Sequence, residues 1–129
     1  MKKLFFAASV GIGFLAGVLV GSVRGAAPPN KELPAYLVAS QRIIHPDQLQ
    51  AFSDAVVPLA QKAGWTPLAG ARPEVFEGSW PDGSILFVQK YPSMEALRSF
   101  WRSPENNAVQ KLREGHLRSD FVVAVEGQK

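Results

Sequence analysis

The amino-acid sequence predicts an α+β domain built as β-α-β-β-α-β, with an antiparallel sheet and both helices on one face, behind an N-terminal hydrophobic segment. Three observations predict it. After Pro34 the hydrophobic spacing switches between runs of branched and aromatic residues and stripes with a three-and-four period. Those segments follow one another as strand, helix, strand, strand, helix, strand, which makes two β-α-β halves. The roughly 100 residues after the leader suffice for one hydrophobic core but not for two.

The leader comes first. Met1 to Lys3 is short and positive, and Leu4 to Val23 then runs without a charge up to Arg24. That length lies between the roughly 7 to 15 apolar residues of a signal peptide core and the roughly 20 that span a bilayer. Gly11, Gly13, Gly17 and Gly21 dilute its hydrophobicity, and Val23 and Gly25 offer a small-residue cleavage site before Ala26. Residues 1–25 are therefore expected to be a signal peptide or a retained membrane anchor. In either case Lys2, Lys3 and the terminal amine outweigh Arg24 and hold the N-terminus in the cytoplasm. The domain is then exported to the periplasmic side, soluble after cleavage or held to the inner membrane by residues 4–23 alone. Residues 26–34 (AAPPNKELP) form a Pro-rich tether, and the domain is expected over residues 35–127.

Ala35 to Ile44 (AYLVASQRII), bounded by Pro34 and Pro46, reads as the first strand. From Asp47 onward, Leu49, Phe52, Val56, Leu59, Ala60 and Ala63 mark an amphipathic helix that Gly64 stops. His45 takes its cap position with Pro46 at the first helical place, and Pro58 is expected to kink or divide it. Trp65 to Ala71 and Glu74 to Trp80 read as one strand broken at Arg72-Pro73. Pro81-Asp82-Gly83 then turns the chain into Ser84 to Tyr91, so Glu74 to Trp80 should pair with that strand in a hairpin. Ser93 can cap a helix with Glu95 in its first turn and Met94, Leu97, Phe100 and Trp101 as its apolar stripe. Ser103-Pro104-Glu105 starts a second helical segment that Gly115 closes, and Phe121 to Glu126 is the last strand. The uncovered face of a sheet this rich in Val, Phe and Tyr is expected to meet a second copy, with Phe87 or Val123 among the contacts.

Charge narrows the function classes. Lys2, Lys3 and Arg24 lie in the leader, and the remaining eleven basic residues are balanced by eleven acidic ones. The domain lacks the basic footprint of a nucleic-acid binder, and no nucleic-acid partner is expected. With no cysteine, two histidines and no paired ligand spacing, no metal site is expected. There is no glycine-rich phosphate loop and no nucleophile elbow, so no cofactor is expected either.

Several motifs in order carry a resemblance over Tyr36 to Gly127. They are Tyr36-Leu37-Val38-Ala39, His45-Pro46-Asp47, Ala63-Gly64-Trp65, the run from Gly70 to Trp80, Tyr91-Pro92-Ser93-Met94-Glu95-Ala96, Trp101-Arg102-Ser103-Pro104-Glu105 and Leu112-Arg113-Glu114-Gly115 with Val125-Glu126-Gly127. The chain resembles the domain of unknown function 1330 family, a branch of the ferredoxin-like dimeric α/β-barrel superfamily. It departs from that pattern at His45 and at Asn106-Asn107. The resemblance implies a ferredoxin-like dimeric α/β barrel, a homodimer through the open sheet face, and a cavity. It implies no particular reaction.

The expected function is accordingly the binding of a small organic molecule in a barrel cavity. The alternative is a cofactor-independent monooxygenase- or isomerase-like enzyme acting on a small aromatic or polyketide-like compound. Candidate catalytic residues are Arg42 to orient an anion, and His45 or Glu77 to move a proton. Candidate ligand-binding residues are Tyr36, Arg42, Arg72, Glu74, Trp80 and Trp101. Each has a plainer structural role as an alternative: a strand-end arginine, an exposed turn histidine, an Arg72–carboxylate pair, or tryptophans in the core or a dimer contact. Glu74 and Glu77 would face opposite ways on one strand, so at most one could look inward. His116, after Gly115, is expected to be a solvated cap.

Overall fold

The computed structural model describes residues 32–129. The expected signal or anchor segment and residues 26–31 of the tether lie outside the described residues.

The elements run β1 (Ala35–Ile43), a 3-10 turn (Pro46–Gln48), α1 (Gln50–Lys62), β2 (Thr66–Ala71), β3 (Ile85–Tyr91), α2 (Met94–Trp101), α3 (Pro104–Gln110), a second 3-10 turn (Lys111–Arg113) and β4 (Leu117–Glu126). The four strands form one sheet in the order β2-β3-β1-β4, and every neighbouring pair is antiparallel. This is the ferredoxin-like arrangement that the sequence predicts.

The core forms where the period-two pattern of β1 meets the helices. Ala35, Leu37 and Ala39 are buried on one face of the sheet with Tyr91 of β3 and Leu97 of α2. Ala63, Trp65, Phe87, Met94, Phe100 and Val122 pack around them. Small alanines on β1 leave room for large neighbours, and the Tyr91 ring stacks on Phe100 with centroids 5.9 Å apart. Burial pushes the Tyr91 phenol well above its ordinary range, which keeps it neutral.

Short-range signals fix the helix starts. The Ser93 hydroxyl accepts from the Ala96 N–H at 3.0 Å, and the Ser103 hydroxyl accepts from the Asn106 N–H at 3.1 Å. Asn106 is buried, its side-chain amide donating to the Trp101 carbonyl at 3.1 Å while its oxygen accepts from Gln110 at 2.9 Å. It thereby ties the end of α2 to α3. Arg113 lies over the Phe52 ring, 5.7 Å from its centroid, and joins the second 3-10 turn to α1.

Four expectations need correction. Glu74 to Trp80 is not a strand: residues 72–84 form a loop, and β2 pairs directly with β3 from Thr66 opposite Lys90 to Ala71 opposite Leu86. Pro73 and Pro81 lack the donor a ladder needs, and Gly78 and Gly83 take positive φ values of 92° and 78°. Pro58 does not divide α1, which runs unbroken past it; the proline lies on the exposed side, where its missing donor faces water. β4 begins at Leu117 rather than Phe121, because Arg42 and Ile43 extend the pairing to Arg118 and Leu117. Phe87 belongs to the helix-covered face with Ala39 and Val122, whereas Val123 is opposite Val38 on the other face.

Two glycines separate backbone strain from crowding. Gly64 and Gly115 both have φ above +80°, but a Cβ on Gly64 would overlap the Pro92 ring, whereas one on Gly115 would meet nothing within 4 Å. Denaturant unfolding is expected to show Gly115→Ala destabilising by about 1–2 kcal/mol from left-handed strain alone. Gly64→Ala should lose a further ~1–3 kcal/mol through overpacking. Leu97→Ala, which empties the middle of the core, should cost about 2–5 kcal/mol in the same assay.

Candidate functional site

Strand alternation places Tyr36, Val38, Ser40 and Arg42 of β1 on the face away from the helices. Opposite them stand Val125, Val123 and Phe121 of β4, and Lys90, Val88 and Leu86 of β3. This open face is apolar along most of its length. Phe121, Val123 and Val125 are 38%, 51% and 58% exposed, a large exposure for neighbouring apolar side chains on one strand.

One end of the face is polar, and a bulge makes it so. Ser40 pairs with Phe121 but Gln41 pairs with Ser119, leaving Asp120 as the extra residue of β4. Its carboxylate meets two hydroxyls. Ser40 Oγ donates to Asp120 Oδ2 at 2.8 Å, and Ser84 Oγ donates to the same oxygen at 2.5 Å. Both serines are buried, Ser40 at 0% and Ser84 at 1% exposure.

The 72–84 loop encloses this end. The Trp80 indole N–H donates to the Ser84 carbonyl at 3.0 Å, and the ring meets Phe121 edge-on with centroids 6.3 Å apart. An Arg42 guanidinium nitrogen, Nη2, donates to the Asp82 carbonyl, and the group packs against Gly83, where a Cβ would stand 3.4 Å from Nε. Arg42 Nε is buried without a hydrogen-bond partner among the described residues. Hydrogen bonds from Ser84 and then Ser40 hold the Asp120 carboxyl below the usual aspartate range, burial opposes them, and the Arg118 and Arg42 charges add to the lowering. Asp120 is thus an ionised acceptor at neutral pH. It can take a hydrogen bond from a ligand but is a weak base.

The predicted site residues fall into four places. Tyr36, Arg42 and Trp80 share the open face and its loop with the serine–aspartate cluster. Arg72, Glu74 and Glu77 are exposed along the 72–84 loop, and the opposite-face argument for the two glutamates lapses with the strand. Trp101 lines a groove of about 210 Å³ between α2 and β4, with Met94, Arg98 and Arg102, on the helix side of the sheet. His45 stands beyond the end of β1 with its Nδ1 3.1 Å from His116 Nδ1. His116 is therefore not a solvated cap: it is half-buried and bonded to a second imidazole.

Sequence reasoning missed Ser40, Ser84 and Asp120. Serines in strands and an Asp beside Ser119 carry no motif, and the bulge that joins them depends on the register of β4 against β1. The one local signal is a carboxylate placed immediately before the apolar run Phe121–Val125.

The lowered carboxyl has a defined consequence. Folded-state ionisation of Asp120 contributes stability that is fully present above the ordinary aspartate value, near 3.9, and is lost as pH falls from there through the depressed folded value. Asp120→Asn is expected to flatten the fall of the melting temperature below about pH 4. Carboxyl NMR titration of Ser84→Ala should find Asp120 shifted back up toward the ordinary value.

The fold has solved counterparts. A protein of unknown function from Rhodopseudomonas palustris superposes with a TM-score of 0.59 at 16% identity, covering 87% of this chain and 93% of that one. SnoaB, a cofactor-independent oxygenase from Streptomyces nogalater, superposes with a TM-score of 0.51 at 9% identity, covering 75% of this chain and 95% of that one. At these identities the likeness is one of fold. No curated protein matches the chain in sequence. The sequence profile of the domain of unknown function DUF1330 matches residues 34–128, and the chain belongs to that family.

Proposed function

We propose that the protein is an exported homodimer whose open sheet faces meet and bind a small organic molecule, with the Ser40–Asp120–Ser84 cluster as its polar anchor. The observation that carries this reading is a fixed, ionised carboxylate on buried hydroxyls at the end of an otherwise apolar, uncovered sheet face. A small-molecule site needs this mixture: apolar walls with a few convergent polar groups. Phe121, Val123 and Val125 supply the walls, and Asp120 accepts from a hydroxyl or amine on the ligand. Arg42 and Trp80 stand at the rim as orienting groups.

A second copy suits the open face because it presents the same apolar strip of Phe121, Val123 and Val125, so apolar burial is matched on both sides. The leader, Lys2-Lys3 followed by the uncharged run to Val23, supports export and, if retained, attachment to the inner membrane.

Recognition is favoured over turnover on chemical grounds. Both serines direct their protons to Asp120, and a carboxyl held low is poorly matched to general base work near neutral pH. Glu77 lies in the exposed loop and His45 beyond the strand end, so neither supplies the missing base at the cluster.

Two substitutions separate assembly from binding. Val123→Asp in the full chain, purified in mild detergent, should sediment as a monomer where the parent chain is a dimer. Asp120→Asn should leave the dimer intact while the amount of co-purifying small molecule, measured by mass spectrometry, falls about tenfold to hundredfold, the worth of a charge-assisted hydrogen bond. A parent chain that is monomeric, or unchanged ligand content in Asp120→Asn, would sink the proposal.

A further inference from the structure

We infer that His45 and His116 form a two-imidazole site for a divalent transition metal, with copper(II) held most tightly. The residues lie 71 positions apart in sequence and no ligand spacing announces them. Folding brings their Nδ1 atoms to 3.1 Å, with ring centroids 5.3 Å apart and ring planes 69° apart. Two nitrogens bound at about 2.05 Å to one ion stand roughly 2.9 Å apart at a square-planar corner and roughly 3.3 Å apart at a tetrahedral one, with centroids in the tetrahedral case roughly 5.2 Å apart. The observed pair lies between these limits in nitrogen spacing and close to the second in ring separation. With nitrogens 3.1 Å and centroids 5.3 Å apart the rings point nearly straight at each other, as a hydrogen bond requires, so each ring must turn about its side-chain torsions to aim its lone pair at a shared metal ion.

The backbone holds the pair in place. The His116 carbonyl accepts from both the Ile44 N–H at 2.9 Å and the His45 N–H at 3.1 Å, just past the last β1–β4 pair, Ile43 opposite Leu117. Pro46 at the first position of the 3-10 turn restricts the chain immediately after His45, and the Gln48 N–H donates back to the His45 carbonyl at 3.0 Å. Neither ring has to be gathered from a flexible loop, so little ordering entropy opposes chelation. His45 is exposed and open to an arriving ion.

The proton balance is simple. In the neutral pair one Nδ1–H donates to the other Nδ1; on metal binding that hydrogen moves to the Nε2 of its own ring through solvent, and both Nδ1 lone pairs face the ion with no net proton release. Among the described residues no third histidine, aspartate or glutamate completes a ligand set, so water fills the remaining positions. Imidazole nitrogen suits copper, nickel and zinc, and the general order of divalent affinities places copper above the other two.

The test uses the full chain in detergent, titrated with copper(II), nickel(II) and zinc(II), alongside His45→Asn and His116→Asn. The expected result is one equivalent of copper bound, electron paramagnetic resonance splitting from two imidazole nitrogens, and affinity reduced at least tenfold in either variant, with little further loss in the double variant. The spectrum of the parent chain decides the matter even if a variant unfolds. A copper signal with one or no imidazole nitrogen, equal binding in parent and folded variants, or no binding at about 100 µM metal would overturn the assignment.

Discussion

The structure depends on β1 being paired along both edges and, among the described residues, covered on only one face. Its partners β3 and β4 occupy both sides, so its backbone groups are satisfied within the sheet. Its side chains then divide by alternation. Ala35, Leu37 and Ala39 go to the helices, and Tyr36, Val38, Ser40 and Arg42 go to the face that no helix covers among the described residues. The core and the candidate site are the two sides of this one strand, and a one-residue slip in its register would exchange them.

A single irregularity turns the second side into something more than an apolar surface. The extra residue in β4 interrupts the alternation at Asp120 and delivers a carboxylate to two buried hydroxyls, one from β1 and one from the end of the 72–84 loop. Asp120 itself is exposed, and the hydrogen bonds from Ser84 and Ser40, with the nearby Arg118 and Arg42 charges, hold its carboxylate ionised. The cluster also fastens the loop: Ser84 binds Asp120, Trp80 binds the Ser84 carbonyl, and Arg42 binds that of Asp82. Polar anchoring and loop closure are thus one arrangement.

What could be read from the sequence followed the range of the interaction. The caps at Ser93 and Ser103 depend on residues three places away and are legible without a fold. The strand and helix periods are legible over seven to thirteen residues, as β3 and α1 illustrate. Glu74 to Trp80 misled because Val75, Phe76 and Trp80 favour strands, while Pro73, Gly78 and Pro81 decided the backbone. Tyr36, Arg42 and Trp80 were legible as candidates by residue type. Ser40 with Asp120, and His45 with His116, were not: each pair is joined across 70 residues or more by strand register, which local patterns do not encode.

In the proposed assembly a second copy closes the open face over a ligand. Native mass spectrometry of the protein recovered from the cell envelope tests it most directly, because one spectrum reports stoichiometry and bound mass together. The expected species is a dimer carrying additional mass of small-molecule size that is released on unfolding. A monomer with no added mass would contradict it.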